Sequence, residues 1–340
     1  MSALWGGDDL LGPITSDRPC GENLEDTPLL ASFDTFRLFG SATPLDARPD
    51  PRDPEGKRSL PPPEWGEIKN RSIEALRKSK DIRLLAHLGT ASLRTDGLPG
   101  FAEALAVASH WLETHWAQTY PLVDEDAILR RNALNCFADQ MAVIDGLRRL
   151  PLVSSRQHGK FSLRDIDIAA GQLQPGDGDA KRDEAQINAA FAEVPLDELK
   201  LLQTTAANAL AALKSIGSAM SVAGPDAVPD YDPLSQQLTR LGRVVHEQLG
   251  LRGDLPGEER APGADGGAVA VGAIKSRQDA IRALDAVAEF FRRNEPSSPI
   301  PLFLERAKRL VSKNFLEVLA DVAPDAVPQA RSAGGLAQGE

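Results

Sequence analysis

Proline falls in a few crowded stretches of this chain, and between them the apolar residues repeat at helical spacing. Pro44, Pro49, Pro51, Pro54 and the run Pro61-Pro62-Pro63 lie within residues 40–63, Pro225 and Pro229 lie close together, and Pro296, Pro299 and Pro301 form a third group. A proline inside a helix removes a backbone donor and clashes with the preceding turn, so helices should stop at these places. The intervals carry the amphipathic period. Trp65, Ile68, Ser72, Ile73 and Leu76 share one face of a first helix, and Asp81 is placed to cap a second that contains Ile82, Leu85 and Leu88. Asp96-Gly97 and Pro99-Gly100 mark a turn. Leu98, Phe101, Leu105, Ala108, Trp111 and Leu112 then form a longer stripe that ends near Pro121. A further helix is expected from about Ala127 to Leu150, stopped by Pro151. Aromatic residues make up only 5% of the chain, which favours helices over sheets. The pattern predicts an all-α, multi-domain protein.

The expected organisation runs as follows. Residues 1–165 form an N-terminal helical domain, with 40–63 as an extended loop. Residues 166–250 form a middle helical region. It opens with a Gly- and Asp-rich linker at 171–183 and continues as a helical hairpin, Leu196 to Val222 and about Pro233 to Leu249. Residues 251–272, rich in Gly, Ala and Pro, read as a flexible linker, and 324–340 as a disordered tail. Between these lies a small C-terminal block, 273–323. There Ser276-Arg277-Gln278-Asp279 has the form of a capping box. The helix after it carries Ile281, Leu284, Val287, Ala288 and Phe291 on one stripe. Beyond the connector Pro296–Pro301, a second helix carries Phe303, Leu304, Ala307, Leu310 and Val311. Two such helices bury too little to be stable alone. Their stripes should be buried against copies of themselves or against the rest of the chain. These residues are therefore the candidate oligomer interface.

Charge narrows the partners. The net charge is −11, which argues against nucleic acid, since phosphate binding needs a basic surface. Residues 275–313 nevertheless hold nine Lys and Arg against five Asp and Glu. This basic block reads either as solvated helix faces or as an assembly domain facing an acidic neighbour. Met1 to Pro13 has acids and no early basic residue, so a secretory signal is not expected, and no apolar run is long enough for membrane insertion. Two cysteines, Cys20 and Cys136, without Cys-x-x-Cys spacing fit a reducing, cytoplasmic setting.

No catalytic chemistry, metal site or cofactor is expected. His110 and His115 lie about 140° apart around a helix, too far to share a metal. The calcium-loop pattern begun by Asp177-Gly178-Asp179 fails at Lys181 and Asn188. Asp124-Glu125-Asp126 reads as helix N-terminal capping, and Cys20 as a small packing residue. Trp65, Trp111 and Trp116 read as core. Phosphate loops, nucleophile elbows and His-Glu-x-x-His are absent, so no residue offers a start for a mechanism.

Several motifs carry a family likeness. Pro19-Cys20-Gly21-Glu22-Asn23-Leu24-Glu25 opens the series. Glu64-Trp65, Ser79-Lys80-Asp81-Ile82-Arg83, Asp96-Gly97-Leu98-Pro99-Gly100, Trp116 with Tyr120-Pro121, and Leu147-Arg148-Arg149-Leu150-Pro151-Leu152 follow. Ser276-Arg277, Asp279-Ala280, Arg282-Ala283-Leu284-Asp285, Glu295-Pro296-Ser297-Ser298-Pro299 and Arg306-Ala307 close it. In order and content these resemble short-form TssA (ImpA-type) proteins of bacterial type VI secretion, over roughly residues 10–165 and 273–323. Asp26-Thr27 departs from the family, which more often has an aromatic followed by Asp. The resemblance implies a non-enzymatic assembly factor, cytoplasmic in a Gram-negative bacterium and associated with the contractile tail. It implies a ring-shaped homo-oligomer built by the C-terminal region. The implied partners are baseplate, tube, sheath and membrane-complex proteins. Glu22 and Glu25 read either as partner contacts or as local turn and capping groups. The rival reading is a monomeric helical adaptor unrelated to secretion.

Overall fold

The computed structural model describes residues 10–45, 59–123, 126–176, 183–252 and 299–311, with positions 281, 284, 287–289, 291–292, 319 and 326–327. Packing divides the chain into two compact units, Met1–Glu258 and Glu259–Glu340.

The first unit is built around one helix. α1 (Trp65–Leu76) follows the proline run and buries Ile68, Ser72, Ala75 and Leu76. α2 (Ile82–Thr95) begins where the Asp81 carboxylate accepts the Arg83 amide at 2.9 Å, the expected cap. Every residue from Leu84 to Leu93 is buried, and a helix covered on all sides lies in the middle of a core. α1 and α3 (Leu98–Thr114) pack on it. The α2–α3 turn depends on two glycines. Gly97 has φ +75°, and a Cβ on Gly100 would lie 2.8 Å from that of Ser92. α4 spans Ile128–Asn135, and the Asp126 carboxylate accepts the amide of Ile128 in its first turn at 2.9 Å.

The single helix expected from Ala127 to Leu150 is not formed. α4 ends at Asn135, a 3-10 turn spans Cys136–Ala138, and a π-type turn spans Gln140–Ile144. α5 (Asp145–Arg149) resumes the course. The cause is Asp139. One carboxylate oxygen accepts the amides of Met141 and Ala142 at 3.0 and 2.8 Å, and the other accepts that of Gly40 at 2.7 Å. A short acidic side chain that captures main-chain donors starts a new helix rather than continuing an old one.

An unforeseen hairpin follows. β1 (Pro151–Ser155) pairs antiparallel with β2 (Gly159–Ser162), burying Val153 opposite Phe161. The chain is thus mostly helical with one small two-stranded sheet among the described residues. α6 (Leu163–Ala169) opens on a reciprocal Ser162–Asp165 capping box. Next come α7 (Glu184–Glu193), α8 (Leu196–Met220) and α9 (Asp232–Leu251). α8 buries Leu199, Ala206, Ala209, Leu213, Ile216 and Met220, and it packs on both α3 and α9. One hydrophobic cluster runs from Leu10 to Leu249, because α8 spends its apolar stripe on α3.

Of the expected linker 251–272, Leu251 and Arg252 belong to the end of α9, and the rest lies outside the described residues. So does the expected tail 324–340, apart from 326 and 327. In the second unit, α10 (Ile300–Val311) is helical, as are the described positions from 281 to 292.

Candidate functional site

The opening motif and two later motifs meet in space. Glu22 N donates to Lys78 O at 3.0 Å, and Lys80 N donates to Cys20 O at 2.9 Å. Lys80 O accepts from Tyr120 N at 3.0 Å, and Tyr120 O accepts from Ile82 N at 2.9 Å. Three segments far apart in sequence thus form a narrow ladder of main-chain bonds. Gly21 sits in its tightest place. Its φ is +74°, and a Cβ there would stand 2.1 Å from the Lys78 carbonyl oxygen. Cys20 is buried, with Sγ 3.9 Å from the Thr119 hydroxyl, and burial pushes its thiol up from the ordinary value. It packs rather than reacts.

Two buried cations brace this ladder. Lys80 is 1% exposed; its ammonium donates to Leu10 O and lies 5.0 Å from the centre of the Trp111 ring, whose Nε1 reaches the same carbonyl at 2.7 Å. Burial lowers the Lys80 pKa. Arg130 is fully buried. Its guanidinium donates to the carbonyls of Pro121, Trp116 and Thr119 and lies 4.7 Å from the centre of the Trp116 ring. Burial brings its pKa down to about 10. Carbonyl dipoles and an aromatic face replace a carboxylate partner here, which ties the 116–121 loop to α4. Sequence reading missed Arg130. The available signal was a cation four residues before Leu134, on the face that α4 buries. Of the three tryptophans expected in the core, Trp111 is wholly buried, whereas Trp65 and Trp116 are half-buried beneath Arg94 and Arg130.

The exposed end of the motif borders a cleft. A short helix, Pro28–Ala31, leads into a 3-10 turn, Ser32–Phe36. This segment, α2 and α4 enclose about 460 Å3, with Leu30, Phe33, Phe39 and Ala133 among the lining. Glu25 pairs with Arg83 at 2.7 Å, and Arg83 also grips the buried Asp81 at 2.8 Å. Burial alone would lower the Arg83 pKa, but the two carboxylates outweigh it and the net shift is upward. Glu25 is thus engaged with Arg83, while Glu22 is exposed. The His87 ring stands edge-on to Phe33 and Phe39, with Nδ1 2.9 Å from Arg83 O. Burial holds its pKa below the ordinary 6.5, so it is neutral at pH 7. Cys136, also in the lining, is pushed up to about 12 by burial and then by Asp139.

In the second unit Ala288 is buried, and Ile281, Leu284, Phe291, Leu304 and Ala307 are half-buried. Phe303 and Leu302 are 67% and 75% exposed. Leu310 and Val311 lie on α10, and their side chains fall outside the description. Asp124, Glu125, Asp177 and Asp179 lie outside the described residues. Among those described, no group of three or more His, Cys, Asp and Glu could hold a metal ion, and no helix is long and apolar enough to cross a membrane.

Comparison with known proteins places these features. Residues 11–139 match the family model for ImpA, N-terminal, type VI secretion system. The chain is 32% identical over 351 aligned residues to the type VI secretion system component TssA1 of Pseudomonas aeruginosa, covering 94% of this chain and 95% of the relative. Its fold matches the N-terminal domain, including the conserved ImpA_N region, of the TssA component from Burkholderia cenocepacia. The TM-score is 0.56 at 21% identity, over 74% of this chain and 96% of that one. The residues matched by the family model include the whole three-segment ladder, and the alignment to the Pseudomonas protein extends through both units: the chain belongs to the TssA family of type VI secretion system components.

Proposed function

We propose that this protein is a non-enzymatic assembly component of a bacterial type VI secretion apparatus, acting in the cytoplasm as a ring-shaped homo-oligomer. In this reading the C-terminal block 273–323 closes the ring. The N-terminal unit faces baseplate, tube, sheath and membrane-complex proteins while the contractile tail is built. The observation that carries it is the 32% identity with a TssA component, over an alignment that covers 94% of this chain and reaches both units. The chemistry of the N-terminal unit agrees. Its motif residues are spent on main-chain bonds and buried cations, and its cysteines are held protonated. In the second unit, Leu302 and Phe303 stand out from α10 into solvent, which suits an interface completed by another copy. The finer arrangement, with a middle hairpin between the N-terminal helices and a linker before the ring-forming block, belongs to the same proposal.

Light scattering tests it. The intact chain should have a mass that is a multiple of 36.5 kDa. Replacing Leu302 and Phe303 together by Asp should reduce this to the mass of one chain, with circular dichroism unchanged because both side chains are already exposed. A native chain that runs as a single copy would overturn the ring and favour the monomeric adaptor.

A further inference from the structure

The cleft of the N-terminal unit combines an apolar floor with a rim of one sign. Leu30, Phe33, Phe39 and Ala133 supply the floor. At the edge, Leu129 is 61% exposed. Its exposed side chain continues the apolar floor to the mouth of the cleft. The charged lining is Glu25, Asp26 and Asp34 against Arg83 alone, and Arg83 is already shared between Glu25 and Asp81. Among the described residues, the carboxylates of Asp26 and Asp34 have no cation partner. Asp26 also takes φ +59°, a left-handed backbone that few residues with a Cβ adopt.

The occupant follows from these features. Most of the lining comes from helices and 3-10 turns whose main-chain groups bond internally, and no strand is among the lining elements, so a strand has no edge to join. What remains is recognition by side chains, as when a helix lies in a groove. The volume, about 460 Å3, falls within the roughly 300–1,000 Å3 of ligand-binding clefts. A ridge of Leu or Phe would displace water from the floor. Two carboxylates without counter-ions would repel an acidic flank and attract a basic one. We propose that this cleft docks a helix of another protein, apolar along one ridge and carrying Lys or Arg beside it. This stands independently of whether the chain closes into a ring.

The probe is a labelled amphipathic peptide of about fifteen residues, long enough for roughly four helical turns. It carries Leu along one face and Lys on the flanks, and a matched peptide has Glu for every Lys. Fluorescence anisotropy against the full chain should show saturable binding of the Lys peptide, weakened by added salt, and no binding of the Glu peptide. Asp26→Asn with Asp34→Asn should weaken the Lys peptide about tenfold, the worth of two screened ion pairs. Asn tolerates the left-handed backbone at position 26, so the fold should survive. Leu129→Arg, at an exposed position, should abolish binding, and circular dichroism checks that each variant is folded. The proposal is overturned if both peptides bind alike, if neither binds, or if the folded variants bind as the native chain does.

Discussion

At the scale of single residues, the motifs that mark the family are chiefly devices of assembly within the chain. Gly21 shows this best. Its left-handed backbone and the Lys78 carbonyl 2.1 Å from any Cβ leave room only for hydrogen. Gly21→Ala must therefore either push the 78–80 segment away or break the bond from Glu22 N to Lys78 O. The expected cost is about 2–4 kcal/mol, combining backbone strain with a lost buried contact. Chemical denaturation would show it as a lower midpoint at unchanged slope. A midpoint equal to the native one would mean that the ladder does not constrain the opening motif. Of this, the glycine and its neighbours were legible in the sequence as a motif. What they bind was not, because Gly21, Ser79 and Tyr120 meet only through tertiary folding. Arg130 was harder still. Its partners are three main-chain carbonyls, which any sequence could supply.

At the scale of elements, periodicity located helices well and their interruptions poorly. α1, α2, α3, α8 and α9 lie close to where their apolar stripes and caps put them. The break after Asn135 went unseen because Cys136, Phe137, Ala142, Val143 and Ile144 continue an apolar pattern through it. Asp139 was the signal. It precedes an apolar run as an N-cap residue does, and it takes two amides of the following turn plus that of Gly40. Asp139→Ala removes all three acceptor contacts. The expected loss is about 1–2 kcal/mol, the upper part of the range for a cap, since the Gly40 bond goes as well. Hydrogen exchange should quicken at Met141, Ala142 and Gly40 while α2 stays protected. Faster exchange through α2 instead would mean that Asp139 supports the whole core rather than one turn. The β1–β2 hairpin was invisible for another reason: Pro151-Leu152-Val153-Ser154-Ser155 and Gly159-Lys160-Phe161-Ser162 show no sustained alternation of apolar and polar residues.

For the whole molecule, charge and packing divide the chain in the same direction. The basic surplus lies in 275–313, while the hydrophobic cluster of the first unit runs from Leu10 to Leu249 among the described residues. A chain cut after Arg252 should therefore fold and unfold cooperatively, keeping the helical circular dichroism of its share of the protein. Under the ring proposal it differs from the intact protein in number rather than in kind. It offers one N-terminal unit where the ring offers many. Binding of several units to a repetitive tail surface makes each later contact intramolecular, which raises apparent affinity by about 10²–10⁴ without any new contact. The truncated chain should accordingly bind purified baseplate or sheath proteins with much faster dissociation than the intact chain, measured on the same immobilised surface. It should also fail to restore sheath assembly in cells that lack the full-length protein. Equal dissociation rates for the two, together with restored sheaths, would show that a single N-terminal unit is sufficient. The C-terminal block would then serve some purpose other than multiplying weak contacts.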